Sequence, residues 1–157
     1  ITNASIAYAA SAARLQGYQD ALKAHAIPYC ESLVRQGDFD PESGFRQMTS
    51  LIQSGQEISA VFVASDVVAF GAMSAIHQHG LVIPRDISVV GFDDVPVAKY
   101  VEPGLTTIQL PMSELANEAC AMLVRMIDGE HPRQIHVLFD ARLVVRSSCG
   151  ALPDETG

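Results

Sequence analysis

Basic side chains are scarce: 10 Lys and Arg stand against 18 Asp and Glu in 157 residues, a formal net charge of −8. Phosphate contact needs clustered cations, so this balance argues against a nucleic-acid surface on this piece. Cysteine is sparse as well. Cys30, Cys120 and Cys149 are odd in number and show no C-x-x-C spacing, which speaks against a disulfide scaffold or a cysteine zinc site and for unpaired thiols in a reducing compartment. Long apolar runs are missing; the longest is Ala119–Val124, far short of the ~20 residues that a membrane span needs. No basic stretch leading into an apolar one opens the chain, so no signal peptide is read. The chain opens on Ile1 in place of Met, and further residues upstream are expected. What is abundant is core-forming material. Hydrophobic residues at 48% with charged residues at 18% describe one packed globular domain.

Along the chain the apolar period switches between helix and strand. Ile1–Asn3 reads as a strand end, and Ala9–Ala24 as a helix with Leu15, Tyr18 and Leu22 on one stripe. Ser32–Arg35 is a short strand candidate. Asp40-Pro41 starts a second helix, an N-cap carboxylate followed by proline at the first helical position, with Phe45, Met48, Leu51 and Ile52 facing inward. Ala60–Ala64 and Ile87–Phe92 are continuous apolar strands of the kind buried on both faces. Between them, Ser65-Asp66 caps a helix over Val67–His79 that Gly80 ends. Val97–Val101 is one helical turn and Leu105–Leu110 another strand. The strongest amphipathic helix opens at Pro111 and Ser113, with Leu115, Ala119, Met122, Met126 and Ile127 on one face, and closes at Gly129. Ile135–Phe139 and Arg142–Val145 read as two late strands, and Ala151–Gly157 as a disordered tail. Strands alternating with helices predict an α/β fold, a mostly parallel sheet flanked by helices.

In such a sheet a ligand sits beyond the carboxyl ends of the strands. Those ends carry the polar and aromatic residues: Asp38 and Phe39, Ser65 and Asp66, and Asp93 and Asp94, with Arg14 early in the first helix. Carboxylates accept from hydroxyl or N–H groups, a guanidinium donates a fork of N–H bonds, and a phenyl ring covers a flat face. The plainer alternative makes Asp66 and Asp93 helix caps and Arg14 the partner of one of them. Their joint placement on one edge favours a site for a small polyhydroxylated or heterocyclic molecule. His77 and His79, two apart, point to different sides of a helix and hold no shared metal. No G-x-S-x-G elbow, phosphate loop or H-E-x-x-H is found, so neither an enzyme nor a resident cofactor or metal is expected.

Several strings together resemble the LacI/GalR family of bacterial transcription regulators. Arg14-Leu-Gln-Gly17-Tyr18 with Ala21-Leu22 is similar to its R-x-x-G-[FY]-x-x-A-[LM] signature. Gly37-Asp-Phe-Asp-Pro-Glu-Ser-Gly44, Ser65-Asp66-Val-Val-Ala-Phe-Gly-Ala72 and Gly80-Leu-Val-Ile-Pro-Arg-Asp-Ile-Ser-Val-Val-Gly-Phe-Asp-Asp94 follow in order. Pro103-Gly-Leu-Thr-Thr-Ile108 and Leu143-Val-Val-Arg-Ser-Ser148 complete the series, which runs from residue 1 to about 149.

The resemblance implies a type I periplasmic-binding-protein-like core of two subdomains with an effector in the cleft. Residues 1–110 and 142–149 would form its C-terminal subdomain, 111–141 a return segment that packs in the N-terminal one, and 150–157 the tail. Arg14 and Asp93 would be paired polar contacts of the effector and Phe39 a stacking ring. Ser65 stands where relatives often have Asn, and Asp66 fits a structural cap as well as a ligand contact. Tyr8 and Ala10 fall in a variable loop where relatives place effector-specific residues. Phe70, Met73 and Ile76 or His77 would face a second copy in a homodimer. The Leu115–Ile127 face would lack its usual partner, because nothing here resembles a helix-turn-helix headpiece or the first subdomain.

The expected function is therefore the effector-sensing and dimerising part of a cytoplasmic regulator, with no membrane contact. It would bind a sugar, nucleobase or nucleoside and reach DNA only through an absent N-terminal helix-turn-helix. The alternative is a periplasmic solute receptor of a transport system.

Overall fold

The computed structural model describes residues 1–130 and 136–150. Among these, no helix is long and apolar enough to cross a membrane. Four helices and four strands alternate: α1 Ala9–Ala24, α2 Pro41–Gln53, β1 Ala60–Phe62, α3 Asp66–Gln78, β2 Ser88–Asp93, β3 Thr106–Gln109, α4 Met112–Ile127 and β4 Arg142–Val144. The strands lie in the order β1-β2-β3-β4; β1, β2 and β3 are parallel, and β4 runs antiparallel to β3. Beyond β1 the ladder continues through two residues: the Ile1 nitrogen donates to Phe62 O at 2.7 Å, and Ala64 N donates to Ile1 O at 2.9 Å. Thr2 then forms a parallel bridge to Gln36. The result is the expected mixed, mostly parallel sheet.

The core lies between the sheet and the α2–α3 pair. Met48 and Leu51 of α2, Val68, Ala72 and Ile76 of α3, and Val63, Val89 and Leu105 from the strands are buried together. Asp40 caps α2 by accepting Ser43 N at 2.6 Å, and Pro41 occupies the first turn, where its missing N–H costs nothing. The two helices touch backbone to backbone. A Cβ on Gly44 would strike Val68 O, and one on Gly71 would strike Pro41 O. Glycine is required at both places by close approach.

Two late or short elements differ from the sequence reading. Ser32–Arg35 is not a strand: Glu31–Leu33 forms a 3-10 turn, closed by Leu33 N to Cys30 O and Val34 N to Glu31 O. A strand needs a neighbour to supply ladder partners, and here only Ile1 and Thr2 run alongside, so pairing shifts to Arg35–Gly37. Of the strand read over Ile135–Phe139, residues 136–139 carry no strand and Ile135 falls outside the described residues, as does the Ala151–Gly157 tail.

Helix α4 has no buried residue, and Leu123, Val124, Met126 and Ile127 are exposed. Helix α1 buries only Ser11. Its Leu15, Tyr18 and Leu22 stripe faces a largely apolar cavity of about 320 Å³ walled also by Leu33, Ile58, Val61 and Phe62.

Candidate functional site

The carboxyl ends of the parallel strands and the amino ends of α1, α2 and α3 meet at one edge, and the polar cluster forms there. Asp93 closes β2 and Arg14 sits in the second turn of α1. The Arg14 guanidinium carbon stands 4.1 Å from the centroid of the Phe92 ring, a cation–π distance. Its Nη1 also makes a long hydrogen bond, 3.5 Å, to Asn3 Oδ1. Burial pushes the Asp93 carboxyl above the ordinary carboxylate range, and the charge of Asp66 adds to the rise. The Arg14 charge and a hydrogen bond from Ser65 oppose it. Arg14, Asp93 and Ser65 are thus brought together.

Backbone conformation marks the same place. Asp93, Asp94 and Phe39 all have positive φ, at 118°, 54° for Phe39 and 55° for Asp94, a region that side chains other than glycine enter at a cost. Neighbours hold each one. Phe39 N donates to Asn3 O at 2.9 Å. Asp94 accepts from Arg146 Nη2 and from Gln109 Nε2, each at 2.6 Å, and Gln109 in turn accepts from Arg142 at 2.5 Å. Beside Asp93 and Asp94 a wide crevice of about 790 Å³ extends along Gln109–Glu114 to Asp140 and Arg142.

Not every expected residue joins the cluster. Asp66 is corrected from ligand contact to internal brace: it is 0% exposed, its Oδ1 accepts from Thr107 Oγ1 at 2.6 Å, and its Oδ2 accepts from Val95 N at 2.9 Å. Both oxygens are consumed in tying α3 to β3 and to the loop after β2. Gly91 makes room for it, since a Cβ there would collide with Asp66 Oδ1. Ser65 occupies the N-cap position of α3 yet makes no side-chain cap bond, and it is buried beside Asp93. Phe39 is 60% exposed, tethered to the cluster through its backbone only. Tyr8 is 63% exposed at the start of α1, and no side-chain contact joins it to the cluster among the described residues. Met73 and Ile76 are buried within the chain's own core and so cannot present an interface, whereas His77 is exposed and Phe70 half-buried.

Two members escaped the sequence reading. Phe92 supplies the ring under Arg14, because the last apolar residue of a strand faces the ligand edge as readily as the core. Asn3 is the hub, accepting from Ser11 Oγ at 3.1 Å, from Arg14 and, through its backbone, from Phe39. Its one sequence signal is an amide directly following the strand-end residues Ile1 and Thr2.

The periplasmic binding protein-like domain model matches residues 4–149. The chain is 39% identical over 140 residues to the transcriptional repressor CytR of Escherichia coli, covering 89% of this chain and 41% of that protein. It is 42% identical over 135 residues to the repressor PurR of Photorhabdus laumondii, covering 86% and 40%. The structure of the transcriptional regulator CelR in complex with cellobiose superposes with a TM-score of 0.88 at 36% identity, over 94% of this chain and 45% of that one. The chain spans less than half the length of these curated relatives. On the strength of these matches, the chain belongs to the LacI/GalR family of transcriptional regulators, as part of its periplasmic-binding-protein-like effector-binding core.

Proposed function

We propose that this chain is the effector-sensing part of a cytoplasmic LacI-type regulator, and that Arg14, Asp93, Phe92 and Ser65 grip a sugar, nucleobase or nucleoside at the strand-end edge. The observation that carries this reading is the Arg14–Phe92–Asp93 constellation, in which a guanidinium lies 4.1 Å from the centroid of a flat ring, beside a carboxylate that lines the crevice. Phe39 is held to Asn3 O through its backbone N, and its exposed ring suits covering a bound molecule. Residues 111–141 would pack in the other subdomain, so that ligand bridging the cleft favours one closure state and biases headpieces that contact DNA. His77 and the edge of Phe70 on α3 are the surface we assign to a second copy in a homodimer.

The relatives named above are transcriptional regulators, which supports binding without turnover and does not favour a transport receptor. Calorimetry on the natural full-length chain, with ligand drawn from pentoses, hexoses and purines, tests the reading. Arg14→Ala and Asp93→Ala should each weaken binding by roughly 10- to 100-fold, the worth of one charge-assisted hydrogen bond, while the unliganded melting transition stays cooperative. Unchanged affinity in both variants would remove the site.

A further inference from the structure

Asn3 is 8% exposed, and its oxygen is fully occupied by Ser11 and Arg14. Arg14 can only donate, so the atom facing it is the amide oxygen and not the nitrogen. The Asn3 Nδ2 is left without a hydrogen-bond partner among the described residues, next to Arg14 and within the cluster that holds Asp93 and Phe39. The residue is otherwise buried, and this nitrogen is its open atom, since Thr49 Oγ1 is the one buried side-chain atom without a partner among the described residues; an acceptor on a bound molecule can therefore reach it. Charge narrows what that molecule is. Arg14 is balanced by Asp93, and the adjoining crevice carries Asp94, Glu114 and Asp140 against Arg142, while Arg146 is paired to Asp94 at 2.6 Å. A phosphorylated ligand would meet an excess of carboxylates over guanidinium there.

Resting on the effector reading above, we infer that Asn3 is a specificity-determining residue of this cleft, orienting Arg14 through its oxygen and donating its amide hydrogens to an acceptor oxygen or ring nitrogen of an uncharged effector. Asp93 then accepts from a hydroxyl or N–H of the same molecule, and Phe92 with Arg14 covers its flat side.

Asn3→Asp separates the two roles, because it keeps an acceptor for Ser11 and Arg14 and removes both amide donors. In the natural full-length chain, thermal-shift and calorimetric titrations would use ribose, glucose, cellobiose, adenine and adenosine, with ribose 5-phosphate and AMP as charged counterparts. The expected result is that wild type prefers an uncharged probe over its phosphorylated form, and that Asn3→Asp weakens that probe by about tenfold or more, a lost hydrogen bond plus repulsion between the probe's acceptor and the new carboxylate. Asn3→Asp binding as tightly as wild type overturns the donor role. Tighter binding of a phosphorylated probe overturns the uncharged class. A wild type that answers to no probe removes the effector reading itself, which is a different failure. If Asn3→Asp does not fold, a cycle of Asn3→Ala with Arg14→Ala decides. A double variant weaker than Arg14→Ala alone shows direct contact, and an equal one shows that Asn3 acts only through Arg14.

Discussion

Asp93 pairs a useful charge with an unfavourable position. Its carboxyl is held above the ordinary range chiefly by burial and secondly by Asp66, with Arg14 and Ser65 recovering part of the loss. A raised folded-state value means that the folded chain binds more protons than the unfolded one, so this group's contribution is full below the unfolded value of 3.8 and is lost as pH rises through the folded value. Asp93→Asn should therefore melt at a higher temperature than the parent at pH 7, and the difference should shrink to nothing as the buffer is taken below about pH 4. Parallel melting curves of the two proteins across that range check it. A carboxylate whose charged form is disfavoured by burial and which sits at positive φ beside a cation fits the ligand role proposed for it. Asp66 teaches the opposite lesson. Both carboxylates end an apolar run and look alike in sequence, but Thr107 and Val95 claim Asp66 from the other side of the sheet, a contact 41 residues away for Thr107 that no local pattern announces.

At the scale of elements, helix starts and the three parallel strands were legible because local chemistry decides them. Asp40-Pro41, the Gly80 stop and the apolar runs through β1 and β2 act within a few residues. The 3-10 turn at Glu31–Leu33 was not legible, since strand or turn there depends on how much neighbouring backbone is available to pair. The α2–α3 contact also rests on something local pattern hides: two glycines that admit a neighbouring carbonyl. Gly71→Ala should lower stability by at least about 1–3 kcal/mol, the usual cost of overpacking a tight interior, because the added Cβ meets the fixed Pro41 carbonyl and not a movable side chain. Urea unfolding, comparing midpoints at equal slope, measures it. The same change at Gly17, where a Cβ meets nothing within 4 Å, is the internal control and should be neutral or stabilising in its helix.

For the molecule as a whole, the sheet, α2 and α3 form a packed body, and α4 stands outside it with Ile127 at 74% exposure and no buried residue. Apolar faces of that size are ordinarily covered. In this chain Leu123→Gln should change stability by no more than about 0.5 kcal/mol, as surface substitutions do. In the natural full-length chain, where the return segment is proposed to pack in the other subdomain, the same substitution should cost about 2 kcal/mol or more through a lost buried leucine. Equal small effects in both would place α4 in solvent and undo the proposed domain division.

By itself the sequence determined the succession of elements, the family and the edge that carries the candidate site, because periodicity, capping residues and motif order are all carried by near neighbours. Tertiary structure alone decided which polar residues face that edge and which are consumed within. Asp66 was taken inward by Thr107, Ser65 was left beside Asp93 with no cap bond to its helix, and Asn3 became the hub. Hydrogen-bond partners are chosen by proximity in space, and proximity is settled only once the sheet has brought distant strand ends side by side.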